Sequence, residues 1–289
     1  MGEFVEGRAH LDRALTLYDP AEHRDLATRF SLDGRVATLY LRSLVLCVLG
    51  FRHAGLADAD RALKEAHEIG HAATLIPALN TTWFTHVLCG NLAEANVITN
   101  EQIALYGKTG SLLGTSWGMM QRGCLLTLTG KASDAVQTIT SGITAFRSTG
   151  SSTELPAYLS YLAQAYAELG QFDDATHCLG EAMTLIETNK ERWYEAEVKR
   201  TAGEIVLLSP EPDMAKAEAY FERALAVARK QQAKSWELRA AMSMARLWRD
   251  QGKRQQAGDH LASVYGWFTE GFETRDLKEA KALLDELAS

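Results

Sequence analysis

Glycine residues that recur every forty positions constrain the fold of this chain more than any other feature of its sequence. The anchors of this register are Gly2, Gly50, Gly90, Gly130, Gly170, Pro212 and Gly252. Each anchor is followed five residues later by Gly or Ala, and further glycines stand twenty residues after three of them, at Gly70, Gly110 and Gly150. A fixed period of this length indicates a repeat architecture, with each unit divided into two halves.

Each half of a unit has the periodicity of an amphipathic helix. One apolar stripe, which recurs every three or four positions as in a helix, consists of Tyr158, Leu159, Leu162, Ala163, Tyr166 and Leu169. The 289 residues include 42 Ala and 38 Leu but only 5 Pro, so strong helix formers dominate. A pair of helices cannot bury its apolar face alone and must stack on its neighbours. We therefore predict an all-α solenoid of tandem antiparallel helix pairs with a period of about 40.

The register also predicts the ends of the array. Residues 1–18 match one half of a repeat, residues 19–273 form the helix-pair repeats, and residues 274–289 form a capping helix. We expect Thr274 to be the N-cap of that helix, with Asp276 on its polar face and Leu277, Leu283 and Leu287 on its apolar face. The unpaired half repeat at the start predicts a chain that was cut from, or once fused to, a larger protein.

Charge and cysteine content exclude several classes of protein. The net charge of −7 disfavours nucleic acid as a partner. No apolar run approaches the length of a membrane span, and the first residues lack the features of a secretory signal. The four cysteines, Cys47, Cys89, Cys124 and Cys178, contain no CxxC pair. We therefore expect a cytoplasmic protein that has no disulfide framework and no membrane partner.

Two catalytic motifs occur in the sequence, but their context argues against chemistry. The run from His67 to His71 fits HExxH, yet Gly70 is a repeat junction, so the two histidines should lie on different helices. Gly114 to Gly118 fits GxSxG around Ser116, but no strand pattern precedes it. A hydrolase that uses either motif is the least favoured interpretation. We expect no catalytic residue, no bound metal and no cofactor.

Two sets of residues resemble known families. The pattern Ala217-x3-Phe221-x2-Ala224 and the segment 163–170 resemble the tetratricopeptide (TPR) repeat. Segments 229–241, 264–272 and 276–284 resemble the C-terminal TPR region of bacterial signalling proteins that join a class III adenylate or guanylate cyclase domain to an AAA-type ATPase module. This resemblance is strongest in residues 213–288 and implies a regulatory or partner-binding module. It also implies that the cyclase or ATPase domains of the same parent are partners, and it carries over no catalytic residue.

The first helices of the repeats, aligned by the register, offer a candidate binding surface. Solenoids commonly bind partners on the concave face that these helices line. The candidate residues are Tyr40, Phe84, Trp117, Met120, Gln164, Arg200, Arg239 and Arg246. An aromatic anchor with an arginine-rich end would suit a protein or peptide partner. Two alternatives remain open: ordinary packing residues, or a solenoid that senses a small effector or peptide on its concave face.

Overall fold

The computed structural model describes residues 2–24, 29 and 32–289, and within them it forms fifteen α-helices and no strand. The helices are α1 (Phe4–Leu17), α2 (Pro20–His23), α3 (Gly34–Leu49), α4 (Arg52–Ile69), α5 (Ala72–Cys89), α6 (Leu92–Thr109), α7 (Leu112–Leu128), α8 (Ala132–Ser148), α9 (Leu155–Glu168), α10 (Phe172–Asn189), α11 (Glu195–Leu208), α12 (Met214–Lys230), α13 (Lys234–Asp250), α14 (Arg254–Tyr265) and α15 (Arg275–Ala288). The predicted all-α architecture is confirmed. No helix in these ranges is long and apolar enough to cross a membrane.

Consecutive helices from α3 to α14 pack as six pairs, as the forty-residue register predicts. The glycines at the junctions adopt the left-handed backbone that ends a helix, with φ of 67° at Gly70 and 82° at Gly90. Small residues at fixed offsets permit close crossings between partners. At Gly114 an added Cβ would lie 1.9 Å from the ring of Tyr106.

The first helices of the pairs form an inner layer that is largely closed to solvent. Contacts join α3 to α5, α7 to α9, α9 to α11 and α11 to α13, and α15 packs on α13. Every residue from 78 to 89 in α5, from 155 to 163 in α9 and from 235 to 245 in α13 is buried. An ordinary surface helix buries one stripe, so these helices are covered on all sides.

The insertions that lengthen two of the repeats lie in connections, as expected. Asp19 caps the short helix α2 by accepting a hydrogen bond from the backbone N–H of Ala21, and Pro20 occupies the first turn. The second insertion, residues 209–213, links α11 to α12. Neither insertion disturbs the pairing that follows it.

The array curves until its last helix pair meets its first. Helix α13 contacts α3, and the Ser235 hydroxyl donates a hydrogen bond of 2.5 Å to the carbonyl oxygen of Cys47. We call this junction the seam. It consists of Cys47, Arg52 and Leu88 from the early repeats and Ser235, Arg239 and Asp276 from the late ones.

The capping helix differs in two respects from the sequence prediction. Thr274 occupies the N-cap position, but its hydroxyl donates to the carbonyl oxygen of Gly271 and does not cap the helix. The placement of Asp276 on a solvated polar face is wrong, because its side chain is buried at the seam. Leu277, Leu283 and Leu287 form the buried face as predicted.

Candidate functional site

A buried ion cluster holds the seam together. One carboxylate oxygen of Asp276 accepts hydrogen bonds of 2.7 Å from Arg52 and 2.6 Å from Arg239. Both guanidiniums also donate to the carbonyl oxygen of Leu88 at the end of α5, over 2.8 and 3.2 Å. Three parts of the chain, α4, α5 and the α13–α15 region, therefore meet at two acceptors.

The ion cluster continues along the inner layer. Arg239 donates to Glu197 on α11 over 3.0 Å, and Glu197 also pairs with Arg200, which in turn lies 2.5 Å from Glu204. Burial alone would raise the pKa of Asp276, but the guanidiniums of Arg239 and Arg52 outweigh it and hold that pKa well below its usual range. Burial is likewise outweighed at Glu197, whose pKa Arg200 and Arg239 lower. Asp276 and Glu197 are thus both ionised and each has a guanidinium beside it, as burial of such charges requires.

A second cluster of polar side chains lies in the inner layer, between α5, α7 and α9. We call it the amide cluster, and it consists of Asn80, Gln121, Glu154 and Tyr158. The side-chain NH2 of Asn80 donates to both carboxylate oxygens of Glu154, over 3.1 and 3.0 Å. The NH2 of Gln121 donates to the side-chain oxygen of Asn80 over 2.9 Å. Glu154 stands at the N-cap of α9 with a positive φ of 65°.

Electrostatics in the amide cluster favour neutral side chains. Burial raises the pKa of Glu154 to about 7, the hydrogen bond from Asn80 lowers it in part, and the nearby Glu191 raises it again. Burial also raises the pKa of Tyr158 well above its usual value. Tyr158 is therefore a neutral hydroxyl at physiological pH, and Glu154 titrates close to neutrality.

Two polar atoms of the amide cluster are buried and make no hydrogen bond of ordinary geometry among the described residues, although Gln121 lies close enough to Tyr158 to lower its pKa in part. They are the side-chain oxygen of Gln121 and the hydroxyl of Tyr158. Buried polar side-chain atoms in folded proteins usually have a partner. Both side chains are fully buried, so the N–H and C=O groups of a peptide, or a small polar ligand, would reach these two atoms only if the surrounding helices part.

The aromatic residues predicted from the sequence lie in the core. Tyr40 and Met120 are buried, and Phe84 packs its ring against Trp83, Tyr158 and Trp193 with centroids 4.9 to 5.7 Å apart. Trp117 is half-buried and packs on Phe146. Phe84 thus borders the amide cluster through Tyr158.

The polar residues predicted from the sequence are engaged within the chain. Gln164 donates to the hydroxyl of Thr201 over 3.4 Å. Arg200 and Arg239 share Glu197 in the ion cluster. Arg246, whose side chain is 41% exposed, pairs with Glu279 at 3.4 Å. Most of the eight residues are buried or paired within the chain, and their role in binding stays a prediction.

The two motifs have the contexts that the repeat register predicts. His67 lies near the end of α4, where it contacts Glu101, and His71 is the N-cap of α5. Ser116 is within α7 and donates to the carbonyl oxygen of Leu113. In the described ranges, no group of three or more His, Cys, Asp or Glu side chains is arranged to hold a metal ion.

A surface cleft of about 850 Å³ lies outside the inner layer. It is bordered by the first residues of α1, the segment around Arg192 and the end of α12 near Gln231. None of the eight residues predicted from the sequence lines this cleft.

Sequence reasoning missed the residues that organise both polar clusters. Asp276 and Arg52 lie 224 residues apart, and an acidic residue in a first helical turn ordinarily indicates only a favourable interaction with the helix dipole. Gln121 and Glu154 carry no motif. Asn80 could have been found, because it occupies the column of the repeat alignment that contains Tyr40 and Met120.

No protein-family model matches the chain, and no curated protein matches it. Among solved structures, the chain is similar to the apo form of RapI, with a TM-score of 0.60 and 14% sequence identity. The match covers 98% of this chain and 98% of that one. At this identity the likeness concerns the fold, and its coverage extends over the whole helical repeat array.

Proposed function

We propose that this chain is a non-catalytic regulatory module that binds a peptide or protein partner at the amide cluster, by parting the inner-layer helices that bury it. The observation that carries the proposal is the amide cluster, where the side-chain oxygen of Gln121 and the hydroxyl of Tyr158 are buried near Asn80 and Glu154 without a hydrogen bond of ordinary geometry. The RapI-like fold supports a helical repeat protein of this kind. The sequence resemblance of residues 213–288 supports, as the parent, a bacterial signalling protein with cyclase and ATPase domains.

The peptide group suits the amide cluster because it presents one donor and one acceptor per residue. Asparagine and glutamine side chains can satisfy both at once. Phe84, beside Tyr158, adds an aromatic ring for an apolar side chain of the partner. A small polar effector in the same place is the alternative, since it could satisfy the same two atoms.

A selected peptide tests the proposal. Random short peptides are displayed on phage, selected against the immobilised chain and measured by titration calorimetry. Tyr158→Phe removes the hydroxyl alone, and Tyr166→Phe on the same helix is the matched control. Loss of one hydrogen bond should cost about 0.5–1.5 kcal/mol of binding free energy, or roughly two- to tenfold in affinity, and the control should bind as the wild type does.

Two results would decide against a peptide at the amide cluster. Selection of peptides that bind Tyr158→Phe and the wild type equally would place binding elsewhere on the chain. Failure to select any peptide, together with a small metabolite that raises Tm in the wild type but not in Tyr158→Phe, would establish the effector alternative.

A further inference from the structure

Two thiols face each other at the seam. Cys47 near the end of α3 and Cys89 at the end of α5 have their sulfur atoms 3.5 Å apart. Both side chains are buried, with exposures of 1% and 2%. The backbone joins both cysteines to the seam. The carbonyl oxygen of Cys47 accepts a hydrogen bond from Ser235. The carbonyl oxygen of Leu88, the residue before Cys89, accepts hydrogen bonds from Arg52 and Arg239.

The surroundings of the pair keep Cys47 close to Cys89. Gly55 on α4 lies against Cys47, since an added Cβ there would lie 2.6 Å from the sulfur and 2.8 Å from the carbonyl oxygen of Ser43. Any larger side chain at position 55 would therefore displace Cys47. The close approach of α3 and α4 at this point holds the Cys47 sulfur against Cys89.

The charges around the pair favour reactivity at one sulfur. The hydrogen bond from the Cys47 thiol lowers the pKa of Cys89, burial opposes this shift, and the positive charges of Arg52 and Arg239 lower the pKa further. Burial raises the pKa of Cys178 to about 11 and that of Cys124 well above its usual value. Because the thiolate is the reactive form of cysteine, the charges favour Cys89 over Cys124 and Cys178 once peroxide reaches the buried pair.

We propose that Cys47 and Cys89 form a reversible disulfide when the chain meets hydrogen peroxide. The Cys89 thiolate attacks one peroxide oxygen, the O–O bond breaks, and the sulfur becomes a sulfenic acid while the other oxygen leaves as water after protonation. The Cys47 thiol then attacks the Cys89 sulfur, loses its proton, and displaces hydroxide, which leaves as a second water. Two thiols and one peroxide thus give one disulfide and two waters.

The disulfide needs a movement of modest size. A sulfur–sulfur bond is about 2.05 Å long, so the two atoms must approach by roughly 1.5 Å. That movement would draw the end of α5 toward α3 beside the two carbonyl groups that bind the late repeats. The pair is therefore a redox site that ties the first two helix pairs together at the seam, independently of what binds the amide cluster.

The test uses the full chain and hydrogen peroxide. Reduced wild-type protein is treated with peroxide, remaining thiols are alkylated, and peptides are mapped without reduction. We expect a cross-linked peptide that joins Cys47 to Cys89. These two thiols should be lost about tenfold faster than those of Cys124 and Cys178. The oxidised protein should have a higher Tm than the reduced protein, and dithiothreitol should reverse the difference. Cys124→Ala/Cys178→Ala should behave in the same way.

The wild-type map alone can overturn the proposal, even if variants of the pair fail to fold. Cys47 and Cys89 that stay reduced while Cys124 or Cys178 oxidises would refute it. Conversion of Cys89 to sulfinic acid with Cys47 still free would also refute it, as would a cross-link found only between chains. If Cys47→Ala folds, its Cys89 should proceed to the sulfinic acid.

Discussion

Asp276→Asn provides a direct test of whether the seam closes the array. The substitution keeps the size and shape of the side chain but removes the negative charge that Arg52 and Arg239 share. Arg239 retains Glu197, whereas Arg52 loses its one carboxylate partner among the described residues. Loss of one partner from a buried ion pair costs about 3–5 kcal/mol. Because Arg239 stays paired, we expect the lower end, about 3 kcal/mol of the free energy of unfolding.

The control is an acidic residue of the same helix that lies in solvent. Asp285, whose side chain is 65% exposed, pairs with Lys281 one turn away. Asp285→Asn should change the free energy of unfolding by less than about 0.5 kcal/mol. Both variants and the wild type are unfolded in urea at pH 7 and followed by circular dichroism. If Asp276→Asn lies within about 1 kcal/mol of Asp285→Asn, the buried ion cluster is not a major stabilising contact.

Acid should reproduce the effect of Asp276→Asn. The folded protein holds the pKa of Asp276 well below its unfolded value, so this carboxylate stabilises the fold above that unfolded value, near pH 4. The contribution is lost as pH falls toward the folded pKa. The difference in stability between the wild type and Asp276→Asn should therefore shrink on acidification below about pH 4. A constant difference down to about pH 2 would show that the charge is not responsible.

Two further predictions concern the inner layer. Since the folded pKa of Glu154 is about 7, above its unfolded value of 4.5, the wild type should lose stability as pH rises from about 5 to 8, and Glu154→Gln should lose less over that interval in urea titrations. An equal loss in both proteins would contradict the raised pKa. Gly114→Ala should lower the free energy of unfolding by roughly 1–3 kcal/mol, because the added Cβ meets the ring of Tyr106. Gly107→Ala, at an open position of α6, should raise the free energy of unfolding by about 0.5–1 kcal/mol. Equal Tm values for these two variants would contradict the close approach.

The helix pairs could be predicted from the sequence because their signals are local. Gly70 ends one helix and separates His67 from His71, and this effect does not depend on distant parts of the chain. The same register places His67 and His71 on different helices and Ser116 inside a helix, as the structure confirms. Periodicity and junction residues act over ten to twenty positions, and a single sequence shows them directly.

The closure of the array could not be predicted in this way. Curvature of a solenoid is the sum of small rotations between neighbouring units, and no residue pattern encodes that sum. Asp276 has the sequence context of a surface acid, and its burial follows only when α15 is placed against α4 and α13. The alignment of first helices did place Phe84 on the inner layer. The burial of that layer likewise depends on closure.

Helix α5 connects the features that closure creates. Asn80 in the amide cluster precedes Leu88 and Cys89 at the seam by eight or nine residues, or about 12 Å along a helix. Every residue between them is buried, and a close-packed helix shifts as a unit more readily than it deforms. A partner that moves Asn80 would therefore move the carbonyl group that Arg52 and Arg239 bind. This geometry supplies a physical route from binding in the inner layer to opening of the seam, through one helix and without a catalytic step.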